Sequence, residues 1–180
     1  MTDPSDAAAI NRVLSGDVEA FALLVDRHHA RMTRVACHLL GSEPEAEEAV
    51  QDSFVRAYRA LGTYKEQEQF GAWILRILVN RCRTRLVRDK RREEVAAAWL
   101  REAELPYEPS DRLAIRDELT KALAQLPAEQ REAVVLRYAD ELGYDEMCSI
   151  TGAGMSALKM RVKRACERLR AILEASRAGS

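Results

Sequence analysis

An all-α architecture is the fold class this sequence predicts, and three features carry the prediction. Gly and Pro are scarce at 8 and 5 in 180 residues, and only 6% of residues are aromatic. Apolar residues recur at three- and four-residue steps, with no convincing strand alternation and no internal repeat. The first two features disfavour a sandwich or barrel; the third is the period of an amphipathic helix. Hydrophobic residues make up 47%, so packed cores are available, and the length allows one domain or two small ones.

Taken in order, a first helix is expected over Asp6 to Leu14, stopped by Ser15 and Gly16. A second starts near Asp17, which can cap it, and runs to Gly41. Phe21, Leu24, Val25, His28, Met32, Val35 and Leu39 lie along one side of it. Ser42 and Glu45 have the spacing of a capping box, and Pro44 is tolerated in a first turn, where its missing donor would be unpaired anyway. Ala46, Val50, Phe54, Ala57 and Leu61 then form an inward stripe, with Gly62 as a natural C-terminal cap. Glu47, Glu48, Gln51 and Asp52 remain on the outer side.

"GTYKEQEQ" (Gly62 to Gln69) reads as a polar loop. The helix after it is apolar nearly all round at Phe70, Trp73, Ile74, Leu75, Ile77, Leu78 and Val79, which predicts burial between other helices. From Arg81 it turns basic and should emerge into solvent or onto a polyanion. Residues 93–112 have weak periodicity, two prolines and mixed charge, and read as a linker with one marginal helix around Ala96 to Glu104. Helix resumes at "LAIRDELTKALAQL". Another follows in "LPAEQREAVVLRYADEL", with Pro127 in its first turn and Val134, Val135, Leu136 and Tyr138 making apolar contact.

Charge is balanced overall, 28 Lys and Arg against 29 Asp and Glu, but it is segregated. Residues 42–52 are acidic; residues 81–92 and 159–170 are basic. Such a chain carries several kinds of surface. Cys37, Cys82, Cys148 and Cys166 lack metal or redox spacing and read as reduced, buried thiols. No signal peptide or membrane span is apparent, so a soluble, cytoplasmic protein without stable membrane insertion is expected.

The stretch "LGYDEMCSITGAGMSALKMRVKRACERLR" (Leu142 to Arg170) has the plan of a helix-turn-helix. Tyr144 to Thr151 makes a short helix with Met147 and Ile150 inward, Gly152 to Gly154 the turn, and Met155 onward the second helix. Leu158, Val162, Ala165, Leu169 and Ile172 define the buried stripe of that second helix. Opposite it lie Ser156, Ala157, Met160, Lys163 and Arg164, with Lys159 and Arg161 on the flanks, placed for phosphates. Pattern alone leaves two readings open, a DNA-reading helix and an ordinary helical hairpin with a solvated basic face.

Longer motifs bear on that choice. "EPEAEEAVQDSFVRAYRALGTYKEQEQFGAWILRILVNRCRTRLVR" resembles region 2 of extracytoplasmic-function sigma factors, through the acidic run before "VQDSF", "RAYRAL", and the set Phe70, Ala72, Trp73, Arg76, Ile77 and Asn80. "LAQLPAEQREAVVLRYADELGYDEMCSITGAGMSALKMRVKRACERLR" resembles their region 4 in the "LP-x-x-x-RE", "L-RY" and "VKRA-x-ERLR" parts. The resemblance implies two helical domains joined by a flexible linker: region 2 over residues 1–92, linker over 93–112, and region 4 over 113–180. It further implies a non-enzymatic, cofactor-free protein that binds core RNA polymerase (its beta and beta-prime subunits) and promoter DNA, and that is commonly held by an anti-sigma factor.

By the same resemblance, Glu48, Gln51 and Asp52 meet the polymerase. Tyr64 and Lys65 receive an unstacked base of the melted strand, while Arg76, Asn80 and Arg83 reach the strand or its phosphates, with Arg85 and Arg88 extending the track. Trp73 is expected in the core. Ser156, Lys159, Met160, Lys163 and Arg164 read the upstream element. The sequence departs from the family pattern at Cys148, where a small Ala is usual, at Ala153, which replaces a larger apolar turn residue, and at Gly154, where Ser or Thr commonly caps. Loss of the hydroxyl cap costs a few tenths of a kcal/mol; loss of the apolar anchor should cost more.

Two other classes fit less well. A stand-alone helix-turn-helix regulator would need receiver-type strands that the N-terminal half lacks. A metal site built from His28, His29, Cys37 and His38 lacks the i, i+4 ligand spacing and a second ligand pair.

Overall fold

The computed structural model describes residues 5–65, 69–97 and 111–178, and among these it contains α-helices and short 3-10 and π turns, with no strand. Helix α1 (Asp6–Leu14) is capped by Ser5, whose hydroxyl accepts from the Ala8 N–H at 3.3 Å. It is tied to α2 (Phe21–Leu40) through Asp6, which accepts from Arg27 and meets Nε2 of His28 at 2.9 Å. Helix α2 begins later than expected because a 3-10 turn (Val18–Ala20) intervenes, and the Asp17 carboxylate is gripped by Arg12 at 2.7 and 2.9 Å. Gly41 ends α2 in the left-handed region (φ 76°), its N–H returning to the Cys37 carbonyl.

Helix α3 (Glu43–Ala60) departs from its expected capping. Ser42 makes no side-chain cap, and Glu45 instead faces Arg85 of α4 (Phe70–Ala97) at 3.8 Å. A nearby guanidinium draws the carboxylate away from the helix end. Its C-terminus tightens into a 3-10 turn (Leu61–Thr63), so Gly62 is not the left-handed cap the sequence suggested. Leu24, Met32 and Val35 of α2, Val50, Phe54 and Ala57 of α3, and Ile74 and Leu78 of α4 form one core. Helix α4 is enclosed on two sides over its first turns, as its apolar sequence requires. The helix expected around Ala96 to Glu104 falls almost wholly outside the described residues.

The second half comprises α5 (Asp111–Ala124), α6 (Ala128–Val134), a π turn (Val135–Ala139), α7 (Tyr144–Thr151) and α8 (Met155–Ala178). Pro127 precedes α6 at the cap position rather than inside its first turn. Leu123, Leu126, Leu136, Met147, Ile150, Leu158 and Val162 are buried together. Tyr138 is not among them: its surface is 62% exposed. The π turn adds a residue to the helical repeat, so positions beyond Leu136 rotate out of the register that a regular helix would give.

The halves are packed on one another. Helix α4 lies along α7, and α2 lies against the π turn and α5.

Candidate nucleic-acid interface

The helix-turn-helix is built by a few local devices. Helix α7 begins at Gly143, whose N–H donates to the Glu146 carboxylate at 2.9 Å, half of a capping box. It ends at Gly152, which holds φ 73°, a conformation that disfavours any residue with a Cβ. The Thr151 hydroxyl then accepts from the Ala153 N–H at 3.1 Å. This bond fixes the turn where the sequence offers no hydroxyl at Gly154. Leu158, Val162 and Ala165 are buried against α6 and α7, and Leu169 and Ile172 are half-buried. That rotation leaves Ser156, Ala157, Lys159, Met160, Lys163 and Arg164 all exposed on one side of α8.

The flanking cations have partners. Lys159 lies over the Tyr144 ring, 5.5 Å from its centre, and Arg161 pairs with Glu129 at 2.7 Å. Lys163 stands 3.9 Å from Glu167, an exposed pair that solvent screens and that a phosphate can displace. Ala153 is half-buried and borders a cleft of about 540 Å³ between the halves, lined also by Leu39, Val79, Cys82, Leu86 and Thr151.

In the first half, Tyr64 is not a free stacking platform. Its ring packs edge-on against Phe70 and Trp73, with centroids 5.8 and 5.3 Å away, and it is half-buried beside the exposed Lys65. Trp73 is half-buried in this aromatic group, at the margin of the core. Asn80 is exposed, and its Oδ1 accepts from Arg83 at 3.3 Å. Arg76 and Arg83 point into the second half. Arg76 Nε donates to the Ser149 carbonyl at 2.8 Å, and Arg83 forms a two-pronged pair with Glu132 at 2.5 and 2.7 Å while also donating to the Thr151 carbonyl.

The acidic side of α3 is partly neutralised by α4. Asp52 pairs with Arg56 at 3.1 Å and also with Arg81; Glu48 pairs with Arg85 at 2.7 Å. The Arg85 hydrogen bond and charge hold the Glu48 carboxyl below its ordinary value. Gln51 is exposed between them.

Four residues that the motifs did not single out by role organise this arrangement. Glu132 is nearly buried and holds Arg83. Asp140, with a side chain only 2% exposed, takes both prongs of Arg31 at 2.6 and 2.7 Å. Glu141 adopts φ 55°, unusual for a residue with a side chain, in the bend directly after Asp140. Arg131 caps helix ends, donating to the carbonyls of Leu39 and Ala124, and burial pushes its pKa down. Arg131 and Glu132 are the "RE" of the "LP-x-x-x-RE" motif, and that was the only sequence signal pointing to them.

The histidines are each engaged separately: His28 with Asp6, His29 with Glu47, and His38 with the Arg34 carbonyl. Among the described residues there is no cluster of three or more His, Cys, Asp or Glu suited to a metal, and no helix is long and apolar enough to cross a membrane.

Two helical halves, one carrying a helix-turn-helix whose second helix exposes a basic face, have the plan of a transcription factor of the helix-turn-helix class. Residues 24–92 match sigma-70 region 2, and residues 116–169 match sigma-70 region 4. The chain is 32% identical to the RNA polymerase sigma factor NccH of Alcaligenes xylosoxydans xylosoxydans, covering 98% of this chain and 99% of that one. It is 28% identical to the RNA polymerase sigma-H factor of Pseudomonas aeruginosa over 93% of each, and 29% identical to the ECF RNA polymerase sigma-E factor of Escherichia coli over 91% of each. Its structure is similar to CnrH in complex with the cytosolic domain of CnrY (TM-score 0.73, 26% identity, 96% of this chain and 99% of that one). It is also similar to RpoE in complex with the anti-sigma factor NepR from Bartonella quintana (TM-score 0.71, 26% identity, 86% of this chain and 96% of that one). The chain belongs to the extracytoplasmic-function sigma factors. It is an alternative sigma factor that directs transcription initiation.

Proposed function

We propose that this sigma factor binds core RNA polymerase through the outer side of α3, at Glu48, Gln51 and Asp52, and reads a two-part promoter. In this reading residues 1–92 dock on the polymerase and open the downstream element, residues 93–112 link, and residues 113–180 read the upstream element. Ser156, Met160, Lys163 and Arg164 contact bases and Lys159 a phosphate. Lys65, Asn80, Arg76 and Arg83 follow the melted strand, with Tyr64 shaping the wall of that site. The protein acts in the cytoplasm and has no catalysis of its own.

The observation that carries the reading is the α8 face: four neighbouring exposed polar or pliable side chains, Ser156, Met160, Lys163 and Arg164, opposite a buried Leu158, Val162 and Ala165 stripe and flanked by the exposed Lys159. An anti-sigma factor is the regulatory partner. An apolar groove of about 670 Å³, lined by Leu119, Leu123, Val134, Val135, Leu169 and Leu173, has the chemistry to seat an amphipathic helix of such a partner.

The test is co-purification with cognate core polymerase followed by run-off transcription on genomic fragments. Core-dependent initiation from a small set of promoters is the expected result. Tight sequence-specific binding by the free protein with no core binding would instead identify a stand-alone regulator.

A further inference from the structure

Met160 is an apolar side chain held in water. It is 46% exposed, takes no part in the hydrophobic core of the described residues, and lies in the second turn of α8, at the centre of the proposed reading face. Ser156 and Ala157 stand one turn before it and Lys163 and Arg164 one turn after it, all exposed on the same side. The packing of α8 does not need Met160, because Leu158, Val162 and Ala165 supply the contact with α6 and α7.

The residues before Met160 are short. Gly154 has open space where a Cβ would stand, and Ser156 and Ala157 extend little beyond the backbone. The start of α8 can therefore lie close to the floor of a major groove, where the long, unbranched Met160 side chain touches the base edges. A thioether donates no hydrogen bond and accepts only weakly. Set against adenine, guanine or cytosine, it strips water from a donor or acceptor and puts nothing in its place. The C5 methyl of thymine is the one apolar group that the four base pairs show in the major groove. Contact with that methyl removes apolar surface from water on both sides.

Arg164 sets where this contact falls. Among the described residues it has no ion-pair partner, whereas Lys159 lies over the Tyr144 ring and Lys163 stands 3.9 Å from Glu167. A free guanidinium in the groove takes guanine O6 and N7. Met160 and Arg164 are one helical turn apart, about 6 Å along the axis, which keeps their two bases within about two base pairs of each other.

We propose that Met160 selects a thymine of the upstream element through its C5 methyl, within about two base pairs of the guanine held by Arg164. The inference rests on α8 being the upstream-reading helix, and it makes one step of promoter choice an apolar contact rather than an ionic one.

The experiment uses the full-length chain assembled with cognate core polymerase. Duplexes randomised across the upstream element are selected by binding and sequenced. One recovered duplex is then remade with each thymine of that element replaced in turn by deoxyuridine, which removes only the methyl group. Affinities of the wild type, Met160→Ser and Arg164→Ala are read by fluorescence anisotropy, with circular dichroism as the check on folding.

The wild type should lose about fourfold in affinity at one thymine, the worth of one buried methyl group. Met160→Ser should bind the thymine and deoxyuridine duplexes equally, with its salt dependence unchanged, because no counterion leaves a methyl group. A wild type that tolerates deoxyuridine at every position overturns the proposal, and so does a sensitivity that Met160→Ser retains. If Arg164→Ala relaxes selectivity in either of those cases, α8 still reads the element and only the methyl contact falls. Selectivity and affinity both indifferent to Arg164→Ala would remove the upstream reading by this face, and the thymine contact with it.

Discussion

Ala153 lies where the turn of the helix-turn-helix borders the cleft between the halves, and Ala153→Leu should stabilise the protein. The substitution adds three carbon atoms beside Leu39, Val79, Leu86 and the apolar part of Thr151, in a space of about 540 Å³. Full burial of three methylene equivalents would contribute about 2.4 kcal/mol. Ordering a leucine side chain costs about 0.5–1 kcal/mol, and the cleft is open on one side, so a net gain of about 1 kcal/mol is expected. For a chain of this length that corresponds to a rise of about 2–4 °C in the melting temperature. Ala153 has an ordinary backbone conformation, since the left-handed position of the turn is taken by Gly152. Thermal and urea unfolding followed by circular dichroism measure the change. A melting temperature that is unchanged or lower, with helix content intact, would refute the reasoning, because it would mean that this space cannot be filled from the turn.

Other consequences are equally direct. Leu158→Ala removes a fully buried side chain between α6, α7 and α8 and should cost about 2–5 kcal/mol in urea unfolding, a large share of the stability of a small domain. Lys163→Ala and Arg164→Ala should each weaken binding to the upstream element, with core-polymerase affinity unchanged in pull-down; where the lost contact is to phosphate, the salt dependence should fall by about one counterion. Equal loss of core binding would place this face on the polymerase instead. Burial, reinforced by the charge of Glu132, pushes the Cys82 thiol up to about 12. A raised value means that the folded form keeps its proton where the unfolded chain has lost it. The contribution is thus complete below about pH 9 and is lost as pH rises towards 12, by at most about 1.4 kcal/mol per pH unit. Stability of the wild type should therefore fall more steeply between pH 9 and 10.5 than that of Cys82→Ala; parallel slopes would show that the thiol is not held neutral.

Much of this protein was legible in its sequence. The period of Leu158, Val162 and Ala165 set which face of α8 is buried, and the opposite face follows by geometry alone. The same logic placed the α3 stripe and the enclosed start of α4. Glycine marked three expected stops, Gly16, Gly41 and Gly152, where a residue without Cβ sits comfortably at positive φ. Local errors arose where a short-range rule met a longer-range competitor. Ser42 and Glu45 have capping spacing, yet Arg85 claims Glu45. Tyr138 has helical spacing, yet the π turn displaces it.

By itself, the sequence determined that this chain is all-helical, where each helix turns its apolar side, and which basic side chains a helix-turn-helix would present. Those properties depend on residues three and four apart, whose relation is fixed by the helix. What only the tertiary structure decided is which charges meet. Arg83 and Glu132 are 49 residues apart, and Arg31 and Asp140 are 109 apart. Any of the chain's many arginines could satisfy either acid in solution. Packing α4 along α7 and α2 against the π turn removes that choice, because an acid enclosed to a few per cent exposure accepts only the cation that the packing brings to it.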